Sequence, residues 1–282
     1  WNHLKNSGEN PEVANHTLEW VGTIPGKRES RRFEGDYILS QKDLVEQRSF
    51  DDAVSFGGWA LDLHPADGVY GEKPGCTQWH TKGVYQIPYR TMYSKNISNL
   101  FLTGRIISAS HVAFGSSRVM ATCAHNAQAV AMAAVLCKKQ QISPSEILKE
   151  GRIEALKDSL VLQGQYIPNH VLSLKEDLAQ DAKISASSTM RLSGLAFDGP
   201  WKSLTFAAAQ MLPLAPGKIP AMKFQFKATE NTRLVVSLLK SEKKGNFSPE
   251  IILAQNDLEL TLGEQYLTVD LQVNIEQTEY YF

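Results

Sequence analysis

The segment from residue 99 to residue 137 constrains the fold more than any other part of the chain. It reads NLFLTGRIISASHVAFGSSRVMATCAHNAQAVAMAAVLC, and its apolar run 100–102 stops at a Gly-Arg pair. A loop of Ser, His and Gly follows, and then an alanine-rich stretch extends from about Ser117 to Cys137. This order predicts a buried strand, a ligand-facing turn and a buried helix.

A unit of this kind has a natural place for a ligand. Open α/β sheets bind ligands where a strand's carboxyl end meets the amino terminus of the next helix, because the first N–H groups of a helix have no partners within it. We expect Ser116 or Ser117 to cap that helix and Arg105 to contact phosphate oxygens. The alternative is a buried strand–helix unit that binds nothing.

Composition excludes several classes of protein. The 282 residues are 43% hydrophobic and 21% charged, with a formal net charge of −1. We therefore expect no nucleic-acid partner, and the absence of an apolar run of about 18 residues argues against a membrane span. The three cysteines are odd in number and lack metal-ligand spacing, so neither a metal site nor a disulfide framework is expected.

A short charged segment, Gly-Lys-Arg-Glu-Ser-Arg-Arg, occupies residues 26–32. A cluster of arginines can bind a carboxylate in bidentate fashion, or stabilise negative charge that develops on a substrate. The alternative is a solvated run of charges with no ligand.

The pattern along the chain changes at about residue 165. Ser40 is expected to cap a helix over 41–44, and Ser143-Pro144 to open a helix that extends to about Leu162 with an interruption near Gly151. The remaining sequence shows β-type runs, at 183–188, 203–212, 222–228, 233–240, 250–254 and 265–273. We predict an α/β region over 1–168, followed by an all-β sandwich domain over 169–282.

Two of these motifs resemble a known family. The GKRESRR segment, and the Gly104-Arg105 turn with the helix after it, look like FAD-dependent oxidoreductases related to fumarate reductases and succinate dehydrogenases. The resemblance covers about residues 26–165. That family carries a GxGxxG loop after a strand, and none occurs in this sequence. We therefore expect an upstream FAD domain of the same protein to complete the FAD site, and this chain alone to be inactive.

The resemblance also implies roles for individual residues. Arg28 and Arg32 would be catalytic, and either His64, in an Asp-Leu-His triplet, or His111 would be the general base; both histidines have a purely structural role as the alternative. Substrate would be bound by Arg31, Tyr89 and Arg90. The flavin would contact residues of the turn and the following helix: Gly104, Arg105, Gly115, Ser116, Ser117 and Arg118.

The expected reaction is hydride transfer between a small organic substrate, hydroxylated or carbohydrate-derived, and flavin N5. The alternative is a non-catalytic carbohydrate- or surface-binding protein that acts through its β-sandwich, because residues 179–188 resemble the entry strand of galactose-binding-like modules. The sequence begins at Trp1 without a signal sequence, so it does not indicate a compartment, although a periplasmic or secreted location is preferred to the cytoplasm.

Overall fold

The computed structural model describes residues 1–24, 29, 31–149, 151–172, 177–190 and 194–282. These residues form two compact units, Trp1–Arg32 and Phe33–Phe282. The first unit contains helix α1 (Asn2–Asn6) and a 3-10 turn at Pro11–Asn15. The Lys5 ammonium joins helix α1 to this 3-10 turn by donating to the Ala14 carbonyl at 2.7 Å.

The second unit begins with helix α2 (Gln41–Val45), followed by strands β1 (Ala53–Gly57), β2 (Leu61–Leu63), β3 (Thr77–Trp79) and β4 (Tyr85–Pro88). Strand β1 pairs with β4 and β2 pairs with β3, both antiparallel. The predicted cap of α2 is confirmed, because Ser40 and Asp43 form a reciprocal capping box.

The predicted strand at 100–102 is wrong. Only an isolated antiparallel bridge joins Phe101 to Tyr93, and a single parallel bridge joins Leu39 to Ala109. The chain turns immediately afterwards, since Gly104 has a φ of +63° and a 3-10 turn follows at Gly104–Ile106. Leu102 is nevertheless fully buried. The apolar run therefore reports a buried segment and not a strand of a sheet.

The predicted helix from about Ser117 to Cys137 is confirmed as α4 (Met120–Gln140), but the loop predicted before it contains a further helix, α3 (His111–Ser117). Ser117 ends α3, so neither Ser116 nor Ser117 is an N-cap; Ser110 caps α3 instead, and α4 has no side-chain cap. Val119 breaks the helix, because its ψ of 150° is extended. The long α4 carries a buried stripe of small and polar side chains: Thr122, Asn126, Ala129, Ala133 and Cys137.

By length and composition α4 is also apolar enough to cross a membrane. A helix in the core of a globular domain meets the same criterion, and three residues of the α4 stripe, Ala129, Ala133 and Cys137, belong to the hydrophobic core. The expectation that the chain has no membrane span stays a prediction.

The interrupted helix after Ser143 is confirmed as a 3-10 turn at Pro144–Leu148 and helix α5 (Arg152–Leu162). Gly151 separates them with a φ of +70°. Residues from Leu39 to Ile167 contribute to one hydrophobic core, which contains the buried tyrosines Tyr85, Tyr89 and Tyr93.

The carboxyl-terminal region is rich in β-structure, as predicted. Its strands are β5 (Leu212–Leu214), β6 (Gly217–Lys218), β7 (Met222–Ala228), β8 (Thr232–Lys240), β9 (Ile251–Leu260), β10 (Gly263–Val269), β11 (Asn274–Ile275) and β12 (Glu279–Tyr281). Strands β5, β12, β8 and β9 form one antiparallel sheet, β7 pairs with β10, and β6 pairs with β11. A second core beneath them is formed by Ile219, Leu238, Ile275 and Tyr281.

Two of the predicted strands are wrong. Residues 183–188 and 203–211 are irregular and exposed, with Ile184 and Phe206 almost fully open to solvent. These runs have residues that favour strands, but within the described residues no neighbouring strand pairs with their backbone N–H and C=O groups. Residue preference alone does not form a strand. The predicted boundary at residues 168/169 stays a prediction.

Candidate functional site

Helix α3 contains four of the predicted site residues: His111, Gly115, Ser116 and Ser117. Ser110 is its N-cap. The Ser110 Oγ accepts a hydrogen bond from the Ala113 amide at 3.4 Å, which satisfies one of the first N–H groups. His111 therefore occupies the first helical position, where it is exposed. The other end of α3, from Ala113 to Ser117, is buried.

Gly115 and Ser116 fix α3 against the β2 strand. A Cβ atom at Gly115 would lie 2.8 Å from the Asp62 carbonyl oxygen, so only glycine allows this approach. The Ser116 hydroxyl donates to the Trp59 carbonyl at 2.6 Å and lies 2.7 Å from the Tyr85 hydroxyl. Burial raises the pKa of Tyr85 far above its usual value, so this phenol remains protonated.

Asp62 joins two of the predicted residues. Its Oδ2 accepts from Arg118 Nη2 at 2.9 Å and lies 3.7 Å from His64 Nε2. Arg118 and Asp62 are both largely buried, so this ion pair is shielded from water. Arg118 is thus committed to Asp62 at the break between α3 and α4.

His64 has acceptors at both ring nitrogens. Its Nδ1 lies 2.8 Å from the Gly75 carbonyl oxygen, and its Nε2 faces Asp62. Both contacts hold the base of the loop that joins β2 to β3. A catalytic role for His64 stays a prediction.

Gly104 and Arg105 lie against the first turns of α4. The 3-10 turn at Gly104–Ile106 packs on α4, and Arg105 is close enough to Cys123 to influence its thiol. Burial raises the pKa of Cys123, and the positive charge of Arg105 partly offsets that effect. Arg105 itself is exposed, and a Cβ at Gly104 would meet only open space.

The amino terminus of α4 offers hydrogen-bond donors in addition to the Arg105 side chain of this turn. Its N-cap Val119 supplies no side-chain acceptor, and Met120 at the first helical position is almost fully exposed. The first N–H groups of α4 are thus open to an acceptor, and the helix dipole favours negative charge there. Arg105 and this helix end together suit an electron-rich or anionic group.

Two predicted substrate-binding residues are held by other protein groups. Tyr89 is fully buried, and its hydroxyl donates to the Pro144 carbonyl at 2.9 Å. Arg90 forms a two-pronged ion pair with Asp52, through Nε at 3.0 Å and Nη2 at 2.9 Å. These contacts stabilise the fold, and a role for either residue at the substrate stays a prediction.

The arginines of the GKRESRR segment belong to the first unit. Arg28 lies outside the described residues. Arg31 is exposed, and Arg32 forms an ion pair with Glu29. The catalytic roles that the resemblance implies for Arg28 and Arg32 stay predictions.

A comparison with protein families places this geometry in context. The sequence model described as "FAD dependent oxidoreductase" matches residues 1–160, more than half of the chain. The chain therefore belongs to the family of FAD-dependent oxidoreductases. Comparisons with curated proteins and with solved structures give no match.

The structure thus brings the predicted residues into two groups. Gly115, Arg118 and His64 lie close to Asp62 where β2 meets α3, while Gly104 and Arg105 belong to a turn that packs on α4. Sequence reasoning did not assign a role to Asp62, although the Asp-Leu-His triplet already contained it. Asp52 was missed as well, because nothing near it in the sequence indicates its partner.

Proposed function

We propose that this chain supplies the flavin-closing and substrate-facing part of an enzyme that transfers a hydride between a small organic substrate and flavin N5. Family membership supports flavin oxidoreduction in general. The finer proposal is supported by the packing of the turn that carries Arg105 on α4, whose amino terminus has no side-chain cap. We infer that a hydroxylated or carbohydrate-derived compound is the substrate.

The chemistry of these groups fits the electron-rich edge of a flavin ring. Reduction adds negative charge to the ring, and a guanidinium beside open helix N–H groups stabilises such charge without reorganising. Arg105 and the first turn of α4 would hold that edge, with Gly104 leaving room for the approach. FAD, when bound, accepts the hydride. A GxGxxG loop outside this sequence would hold the pyrophosphate.

His111 is the better candidate for the general base. Oxidation of an alcohol carbon releases a proton from the hydroxyl as the hydride leaves the carbon, so a base must receive it. The Nδ1 of His64 is hydrogen-bonded to the Gly75 carbonyl, and its Nε2 lies 3.7 Å from Asp62. The His111 ring, exposed at the first position of α3, would accept the proton.

Anaerobic flavin reduction in the intact gene product tests this assignment. We expect His111→Ala to slow reduction by about 10²- to 10⁴-fold while flavin occupancy is unchanged, as removal of a general base does. Arg105→Ala is expected to weaken flavin retention. His80→Ala removes an exposed histidine elsewhere and is the matched control. A normal reduction rate in His111→Ala would exclude this base.

We further propose that the carboxyl-terminal region is an accessory β-sandwich. Support comes from its antiparallel strands, the separate core around Leu238 and Tyr281, and the half-buried rings of Phe224 and Phe226 on one face of β7. Two layers that close over such residues would form a sandwich. Hydrogen exchange in the whole chain tests this: a sandwich predicts protected amides in both β8 and β7.

A further inference from the structure

An exposed aromatic surface lies on the β7–β10 pair. Phe197, Trp201 and Tyr266 are each about half exposed, and the centroids of Phe197 and Tyr266 are 5.6 Å apart. Half-exposed rings grouped together are unusual on a protein surface, where apolar side chains are normally scattered. We call this group, with Lys223, Lys227 and Glu264, the aromatic surface.

Strand register gathers the polar members of the aromatic surface on one face. Tyr266 pairs with Gln225, Glu264 with Lys227, and Thr268 with Lys223. Paired residues of an antiparallel ladder project to the same side, and alternate positions share that side. Both lysines, Gln225, Glu264 and Tyr266 therefore project together, whereas the half-buried Phe224, Phe226 and Leu267 project to the opposite side.

The two lysines of the aromatic surface lie over its rings. The Lys223 ammonium is 4.7 Å from the centroid of Tyr266, and the Lys227 ammonium is 5.9 Å from that of Trp201. Lys227 pairs with Glu264 at 3.1 Å, but no carboxylate among the described residues pairs with Lys223. One cation beside an aromatic ring is thus available to an anionic ligand.

We propose that the aromatic surface is a binding site for a carbohydrate that carries carboxylate groups. The C–H face of a sugar ring packs against the electron-rich face of Tyr266 or Trp201. Its carboxylate draws the Lys223 ammonium away from the Tyr266 ring, and its hydroxyls meet Gln225 and Glu264. Lys223 and Lys227 are four residues apart, about 13 Å along the strand, so the surface suits more than one sugar unit.

Affinity electrophoresis of the full chain tests the proposal, with polygalacturonate in one gel and the neutral polymer dextran in another. We expect polygalacturonate to retard the chain and dextran to have no effect. Tyr266→Ala and Trp201→Ala should each weaken the apparent affinity for polygalacturonate by about five- to tenfold. Lys223→Met should also weaken it, and added salt should reproduce that loss.

Two matched variants control for exposure and for charge. Trp79→Ala removes an exposed tryptophan on β3, and Lys244→Met removes an exposed lysine between β8 and β9. Both should retain the affinity of the parent chain, and circular dichroism should show that all variants are folded.

Several outcomes would overturn the proposal. They are the absence of retardation by polygalacturonate, equal retardation by dextran, and an equal loss of affinity in Lys244→Met and Lys223→Met. A doubled mass by light scattering that Trp201→Ala abolishes would show that the surface binds a second copy of this chain instead. None of these measurements involves flavin, so the result is independent of the proposed redox function.

Discussion

At the scale of single residues, Asp43 shows how hydrogen bonds outweigh burial. Its carboxylate accepts from the Ser40 amide at 2.9 Å, from the Ser40 hydroxyl at 2.8 Å and from the Tyr37 hydroxyl at 2.8 Å. Burial alone would raise the pKa of Asp43, but these bonds and Arg48 leave it below its usual value. The charged form therefore stabilises the fold.

We expect Asp43→Asn to lower the free energy of unfolding by about 1–2 kcal/mol at neutral pH. Because the folded pKa is depressed, this contribution is complete above the unfolded pKa of about 3.9 and is lost as pH falls through the folded value. Urea denaturation at several pH values measures it. Glu46→Gln, in an exposed pair with Lys42, is the control. A difference that persists undiminished at low pH would contradict the assignment.

His64 provides a second prediction at this scale, because its Nδ1 is hydrogen-bonded to the Gly75 carbonyl. His64→Ala should loosen the loop that joins β2 to β3, since the bond to Gly75 is lost. Faster amide exchange or proteolysis over residues 65–76 would reveal the change. Flavin reduction in the intact protein should slow far less than in His111→Ala. An equal loss of rate in both variants would identify His64 as a participant in the chemistry.

At the scale of elements, local patterns predicted caps and interruptions well. Ser40, Ser143 and Gly151 act through bonds or dihedral angles within a few residues, which the sequence displays directly. Helix α3 was missed because its residues, His111–Ser117, read as a loop of Ser, His and Gly, and it ends at a break before α4. This break coincides with the ion pair of Arg118 and Asp62, which are 56 residues apart, and no local pattern reports such a contact.

Contacts between the helical region and the β8–β9 turn give a prediction about elements. Gln47 and Asn246 exchange two amide hydrogen bonds, at 2.7 and 2.8 Å. Lys82 pairs with Glu250 at 2.6 Å. A Cβ atom at Gly83 would lie 2.2 Å from Asn246 Oδ1 and 2.8 Å from Gln47 Nε2, so any side chain there must displace the amide pair.

Gly83→Ala should therefore lower the free energy of unfolding by about 1–3 kcal/mol, because two largely buried amides lose their partners. Thermal unfolding measures the loss, and it should be accompanied by faster amide exchange in the β8–β9 turn. Gly199→Ala is the matched control, because a Cβ there meets nothing within 4 Å. Equal stability of the two variants would show that the amide pair adapts without loss.

At the scale of the whole molecule, hydrophobic alternation predicted the strands that pack on a core and failed for those that do not. Residues 222–228 form β7 as expected, since alternate side chains are covered. Residues 183–188 were also expected to form a strand but remain irregular and exposed. Gln47 and Asn246 are paired although they lie 199 positions apart in the sequence. No local sequence pattern reports such a contact, so the packing of the two cores could not be predicted from the sequence.

Flavin binding by the whole chain is the remaining prediction. The sequence has no GxGxxG loop, so we expect weak binding of the pyrophosphate and adenosine of FAD, while Arg105 and the start of α4 would still meet the ring. We expect FAD and riboflavin to bind equally weakly, with Kd values of about 1 mM, because the ring supplies the shared contacts. Quenching of flavin fluorescence measures both affinities, and Arg105→Ala should remove most of the quenching. Tight stoichiometric binding of FAD, with weak binding of riboflavin, would show that this chain holds the pyrophosphate by itself.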